Sequence, residues 1–392
     1  RAPSPAARAL QTSAQIERAA DTMVARALIP LLVTCLADAG KMRAAVVANR
    51  SWDFQFHLEK VEVIDVEIPE PGHGEVLIEV HASNINPVDH KIVEMAGWSW
   101  TYPHKLGYDA AGKVLALGKG CARLKVGDEV WGEATTLTEM VTTAGTYAQY
   151  AVVSESVLGI KPKSLSWLEA GAMPMVALTG LESLLWAAEG QAAGLRNATV
   201  LVLGGSAEPF WRSRYTGGGT GHVGIQLAKA MGAARVITTC SETHRDFVRS
   251  LGADQVIDYK KQNYYDVLQP KSVDVVYDCV GLKGTGDHAF GIIKEHGSFV
   301  TLLTGATASI STRFHRPDVR QNAPTCVGSC SQHQRIEQVA SMVEAGKLKV
   351  HIGQVFGLED IVKAYNQSLS GHSTGKVALL LKNETQHAQI QV

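Results

Sequence analysis

The spacing of apolar and polar positions changes character twice along the chain. Residues 43–165 carry short apolar runs, at Ala44–Val47, Glu75–Val80, Ala111–Leu117, Glu129–Trp131 and Ala148–Val153, separated by Gly and Pro turns. Runs of that length between turn formers predict β-strands. Residues 166–310 alternate two rhythms. Apolar strands are expected at 199–203, 235–240, 255–257, 273–279 and 298–303, with helices at 166–189, 221–231, 242–251 and 285–294. Such alternation predicts a parallel sheet covered by helices on both faces. The remainder predicts helices at 332–345 and 358–369 and a strand at 376–381. The fold class is α/β, a β domain joined to a doubly wound parallel sheet. No internal repeat is visible.

Residues 1–41 stand apart. From Arg1 to Ala27 the chain is rich in Ala, Ser and Arg, Glu17 and Asp21 are its only acids, and the first residue is not Met. This texture reads as part of an organellar transit sequence, or as the mature end left by its removal, with mitochondrion favoured over plastid and the cytoplasm not excluded. The apolar run Ala27–Ala37 is too short to span a bilayer. It reads as a docking helix or as a loosely packed tail.

Composition narrows the function classes. A chain of 392 residues with 45% hydrophobic content and 37 glycines suits a two-domain α/β protein. A net charge of −1, from 37 basic and 38 acidic residues, argues against nucleic acid as the main partner. The six cysteines, Cys35, Cys121, Cys240, Cys279, Cys326 and Cys330, are scattered and read as reduced thiols. Cys326 and Cys330 lack further Cys or His at metal spacing.

The densest chemistry lies at 199–232. The stretch TVLVLGGS is followed by AEPFWRSRYTG and then by GGTGHVGIQLAKAMG. Without the middle piece, Ala207–Gly217, the join is a strand, a glycine-rich turn and a helix, the arrangement that receives a dinucleotide pyrophosphate. Glycines permit the tight turn, and the helix N-terminus presents unpaired N–H groups. The insert 207–217 falls where the phosphates belong. It is read in three ways: a bulge that leaves the turn usable, a plug that fills the phosphate site, or a gene-model artefact. Its Phe210, Trp211, Tyr215, Arg212 and Arg214 are also residues that protein interfaces favour.

From Met42 onward the chain resembles the medium-chain dehydrogenase/reductase family, in its zinc-free quinone oxidoreductase-like branch. The resemblance is carried, in order, by PEPGHGEVLIEVHASNINPVDHKI, LGYDAAGKVLALGKGCARLKVGDEVWG, TYAQYAVV, LTGLESL, GGTGHVGIQLAKA, LGADQVIDYK, DVVYDCVG, VEAGKLK and GKVALLL. It implies a GroES-like domain over 42–165, a Rossmann domain over 166–325, and a segment 326–392 that returns to the first domain, with 1–41 an extension. Zinc members carry Cys, His and a third ligand in slots that here hold Asn86, Tyr108 and Met175. These do not make a tetrahedral zinc site, so no metal is expected, and without a Lewis acid alcohol dehydrogenation is disfavoured.

By resemblance, Asn86, Asp89 and Lys91 edge the cleft beside the nicotinamide, and Tyr108 donates to a substrate oxygen. For Asn86 and Asp89 a turn-fixing role is the alternative, and for Tyr108 a place in the core. Thr179 is expected near the nicotinamide carboxamide. Trp98, Trp100 and Tyr102 line the substrate cleft or pack the domain edge. The cofactor set is Thr179, Gly204, Ser206, Gly218, Gly219, Gly221, Gly224, Ser241, His244 and Tyr259. Thr239 stands where NAD enzymes place an acid for the ribose hydroxyl, and Ser241, His244, Arg245 and Tyr259 can serve a 2′-phosphate, so NADPH is expected over NADH.

Two function classes stay open. One is an NADPH-dependent reductase of quinones or α,β-unsaturated carbonyls, which accept hydride without metal help. The other is a catalytically weak relative serving as an accessory subunit of an organellar complex through the extension and the insert. A bare nucleotide-binding module is the weaker third, and a homodimer fits either enzyme or subunit.

Overall fold

The computed structural model describes residues 40–49, 57–89, 91, 102–134, 145–191, 193–206, 218–323, 333–370 and 373–382. The extension 1–39, Trp98 and Trp100, the insert 207–217 and the Cys326/Cys330 pair lie outside them. Residues 43–64 and 69–392 belong to one compact unit, and every site residue discussed below is in it.

The first half forms strands β1 (Lys41–Val47), β2 (Val61–Glu67), β3 (Glu75–Asn84), β4 (His104–Lys105), β5 (Asp109–Leu117), β6 (Glu129–Glu133), β7 (Tyr150–Ser154) and β8 (Gly159–Ile160). Strand β3 is central. It pairs antiparallel with β5, Val80 opposite Gly112, and with β7, Val76 opposite Val153. Alternation along β3 puts Val76, Ile78 and Val80 on one buried face, against Val114, Val130 and Ala151. Helices α1 (Trp167–Ala172) and α2 (Pro174–Glu189) lead away from this domain. Ser166 and Glu169 close a capping box on α1, and Pro174 occupies the first turn of α2.

The second half contains β9 (Thr199–Leu203), α3 (Gly218–Ala230), β10 (Arg235–Cys240), α4 (Arg245–Ser250), β11 (Gln255–Asp258), α5 (Tyr264–Val267), β12 (Val273–Asp278), α6 (Thr285–Ile292), β13 (Ile293–Thr301), α7 (Ile310–His315) and β14 (Arg320–Asn322). The six strands pair in parallel in the order β11-β10-β9-β12-β13-β14. Strand β9 reads as an unbroken apolar run because both its faces are buried. Val200 and Val202 pack under α2 and α3, while Leu201 and Leu203 join the opposite core with Phe290 and Phe299. The chain runs from β9 to β10 on one side and later returns to β12 on the other. A crevice therefore opens at the C-terminal ends of these three strands, the place where open α/β sheets bind ligands.

The chain then forms α8 (His333–Glu344), β15 (Ile352–Gly357), α9 (Ile361–Ser370) and β16 (Lys376–Leu380). β16 pairs parallel with β15 and antiparallel with β3, Leu379 opposite Ser83. The C-terminal strand thus rejoins the first sheet and carries its leading residue, Lys376, to the junction of the two halves. Among the described residues no helix is long and apolar enough to cross a membrane.

Candidate active site

The end of β3 runs into Asn86-Pro87, and residues 87–89 make a helical turn. The turn closes reciprocally: Asn86 N donates to Asp89 Oδ2 at 2.6 Å, and Asp89 N donates to Asn86 O at 3.1 Å. An acid reaching back to the N–H that opens a helical turn is the logic of a capping box. Lys91 follows, half-buried.

Around this turn lies a hydrogen-bonded cluster drawn from five parts of the chain. Asp109, the first residue of β5, is fully buried. Its Oδ2 accepts from Asn84 Nδ2 at 2.7 Å and Asn86 Nδ2 at 2.9 Å. Its Oδ1 accepts from Met175 N at 2.9 Å, an N–H in the first turn of α2, where the helix dipole favours an anion. Lys376 Nζ donates to Asn86 Oδ1 at 2.6 Å. The Asn86 amide is therefore engaged at both ends, and its orientation is set by the network. Tyr147 Oη lies 2.7 Å from Asn84 O and 2.5 Å from Asp89 Oδ2. Tyr108, beside Asp109 in sequence, is buried.

Burial governs the electrostatics. It pushes the Asp89 carboxyl up to about 7 against hydrogen bonds from Tyr147 and the Asn86 N–H, and the nearby Asp109 adds to the rise. Burial also raises Asp109, opposed first by Lys376 and then by the two amides. It lowers the Lys376 ammonium to about 8, opposed by the two carboxyls. Tyr108, Tyr147 and Tyr365 are all held above the ordinary phenol range by the same loss of water.

The cofactor side is built on the glycine turn after β9. Gly204 has φ +81°, a conformation suited to glycine. A Cβ on Gly221 would stand 1.8 Å from Gly204 O, so the first turn of α3 is pressed onto the strand end. Thr239 ties the turn to β10, its Oγ1 accepting from Gly204 N at 3.0 Å. Gly218, Gly219, Gly221 and Gly224 all lie on α3, whose Gly224 packs against the Tyr277 ring. Thr179 is on α2, half-buried. Gly204, Ser206, Thr239 and Tyr259 line a cavity of about 280 Å³, closed further by Tyr264, Lys283 and His288. The two sides meet at Lys376, whose Cδ would lie 2.9 Å from a Cβ on Gly219.

Two of the basic candidates are engaged elsewhere. The His244 ring bonds Ser241 Oγ at 3.0 Å through Nδ1 and Thr374 Oγ1 at 2.9 Å through Nε2, so it braces the end of β10 against the segment before β16. Arg245 holds both oxygens of Glu242. The residues the sequence reading left out of the site are Asn84, Asp109, Tyr147, Tyr365 and Lys376. Among the described residues, no group of three His, Cys, Asp or Glu side chains converges as a metal site.

Residues 72–163 match the alcohol dehydrogenase GroES-like domain, and 251–379 match the zinc-binding dehydrogenase family. The chain is 31% identical over 380 residues to 2-methylene-furan-3-one reductase of Solanum lycopersicum, covering 92% of this chain and 88% of that one. It is 32% identical over 329 residues to the chloroplastic NADPH-dependent alkenal/one oxidoreductase of Arabidopsis thaliana, covering 81% and 76%. The quinone oxidoreductase of Coxiella burnetii superposes with a TM-score of 0.70 at 27% identity, over 87% of this chain and all of that one.

Proposed function

This chain belongs to the medium-chain dehydrogenase/reductase family, and from that premise we propose that it is a metal-independent, NADPH-dependent reductase of quinones or α,β-unsaturated carbonyls. The observation that carries the reading is Lys376 Nζ at 2.6 Å from Asn86 Oδ1. The residue in the family's first zinc slot already holds a buried ammonium, which repels a second cation. The other two slots offer a buried phenol, Tyr108, and a thioether, Met175, poor donors for zinc beside thiolate and imidazole.

Bound at the glycine turn, NADPH would supply the hydride. The chain does the rest. Gly204 and Gly221 bring backbone close to the pyrophosphate, and the α3 N-terminus adds its unpaired N–H groups. Thr239, Ser206 and Tyr259 line the cavity beside the turn, with Thr239 in the place where NAD enzymes carry an acid for the ribose hydroxyl. Asn86, Asp89 and Lys91 frame the nicotinamide edge of the cleft, and Tyr108 donates to the substrate oxygen as charge develops there. The naming of the relatives as enone and quinone reductases supports the substrate class. The Arabidopsis relative's chloroplastic address supports an organellar compartment.

The test is an assay of the purified full chain, pre-treated with a chelator, against a quinone and an enone. NADPH oxidation is expected with at least one acceptor, with kcat/KM at least tenfold higher for NADPH than for NADH, about 1.4 kcal/mol of preference, and without change on chelation. Folded protein that binds NADPH yet reduces neither acceptor would remove the reading. Activity that returns only with added zinc would remove its metal-free part.

A further inference from the structure

Next to Gly221 on α3 stands His222, fully buried. Its ring Nε2 accepts from His351 N at 3.1 Å, across 129 positions of sequence. A peptide N–H only donates, so Nε2 carries no proton and the ring serves here as an acceptor. One turn further along α3, Gln226 grips the same segment. Its Nε2 donates to Lys349 O at 2.8 Å, and its Oε1 accepts from Lys349 N at 2.9 Å. Between these grips Val350 joins the buried core that also holds Val223. Phe247 on α4 lies beside both rings, its centroid 5.0 Å from that of His351 and 6.2 Å from that of His222. A buried imidazole costs desolvation that an aliphatic side chain would avoid. The backbone N–H of His351 supplies the reason for carrying one.

His351 passes the hold onward. Its carbonyl accepts from the backbone N–H of Lys376 at 2.8 Å. The approach requires Gly375, which has φ +83° and where a Cβ would stand 2.3 Å from His351 O. Lys376 in turn lies against the first turn of α3 at Gly219 and donates through Nζ to Asn86 Oδ1 at 2.6 Å. Successive hydrogen bonds therefore run from His222 to His351, from His351 to Lys376, and from Lys376 to Asn86. They begin on the helix whose glycines approach the pyrophosphate and end on the residue that frames the other side of the cleft. We propose that His222, seconded by Gln226, is a positioning residue: through His351 and Lys376 it fixes where Asn86 stands relative to α3, and so keeps the substrate edge of the cleft in register with the cofactor. The proposal rests on the reductase reading for its kinetic consequence. Hydride transfer tolerates little misplacement, and an error of about 1 Å set far from the reacting atoms can cost about a hundredfold in rate. His222 touches neither substrate nor cofactor in this role; it acts through Lys376 and Asn86.

The full chain tests this through a pair of variants. His222→Phe keeps a flat ring and offers no acceptor. His222→Gln places an oxygen the same number of bonds from Cβ and restores one. His222→Phe is expected to bind NADPH within about threefold of wild type in a fluorescence titration. Its kcat is expected to fall about tenfold, the mark of misplacement rather than lost binding. His222→Gln is expected to recover most of kcat. Gln226→Leu, which removes the neighbouring grip, is expected to show the same split and decides the matter if His222→Phe does not fold. Unchanged kcat in the folded variant would overturn the proposal. So would NADPH affinity that falls as far as kcat, or a Gln variant as slow as the Phe one. Amide hydrogen exchange reads the linkage without turnover. In His222→Phe the amides of His351, Lys376 and Asn86 are expected to exchange faster together than in wild type. Faster exchange at His351 alone would show that the hold does not reach Asn86 and overturn the linkage. If wild type reduces no quinone or enone, the reductase reading falls with the kinetic consequence, and exchange alone judges whether His222 fixes Asn86.

Discussion

At the scale of single residues the site is an arrangement of buried charge. Lys376 compensates Asp109, and removing the ammonium leaves a buried carboxylate facing only neutral donors. Lys376→Met is therefore expected to destabilise the fold by about 3–5 kcal/mol near neutral pH, measured by urea unfolding, with Lys376→Arg losing less because the charge is kept. A loss under about 1 kcal/mol would mean that the ammonium is not the partner of Asp109. Asn86, Asp89 and Tyr108 were legible in the sequence because they sit in short motifs. Their partners were not, because the Asn86–Lys376 hydrogen bond closes a separation of 290 residues. A signal was present: an acid opening the apolar stretch DAAGKVLAL and a lysine opening KVALL are charges at the mouths of buried strands. Such charges need partners from elsewhere in the chain. His244 shows the opposite case, a basic residue with the right chemistry for a phosphate whose ring nitrogens are engaged in a brace.

At the scale of elements, legibility followed burial. Strands 199–203 and 235–240 were read with their observed borders because both faces are buried and the apolar runs are continuous. β14 and β15 were missed, and their burial explains it: β14 is half-buried throughout, and β15 has no fully buried position, so neither carries an apolar period. β13 begins earlier than expected, at Ile293, because that residue pairs with Val273 at the start of β12, ahead of a register shift and the apolar part of the run. The glycine turn and α3 act as one element, since Gly221 can approach Gly204 O only without a side chain. Gly221→Ala must push the helix off the strand end. The expected outcome is a lowered melting temperature together with loss of NADPH binding by at least tenfold in a fluorescence titration. An alanine variant with wild-type affinity would show that this contact does not set the phosphate site.

At the scale of the whole molecule the two halves are joined through the C-terminal segment. Lys376 reaches Asn86 in the first sheet, Thr374 meets His244 at the end of β10, and Gln226 on α3 bonds the Lys349 backbone through both its amide atoms. Cofactor and substrate sides are therefore held in register by 349–376 as well as by α1 and α2. This bears on the insert 207–217, which the sequence leaves open between a bulge, a plug and a gene-model artefact. On either side of it the turn is already complete: Gly204 is in its left-handed conformation, Thr239 caps it, and Gly221 is seated on Gly204 O. The turn keeps this geometry with the insert in the chain, and the prediction takes the bulge reading. Deleting Ala207–Gly217 is accordingly expected to leave NADPH affinity within about threefold, less than about 0.7 kcal/mol, as read by titration calorimetry on folded protein. A gain of tenfold or more would mean that the insert obstructs the site and that the wild-type chain works below the capacity of its own fold.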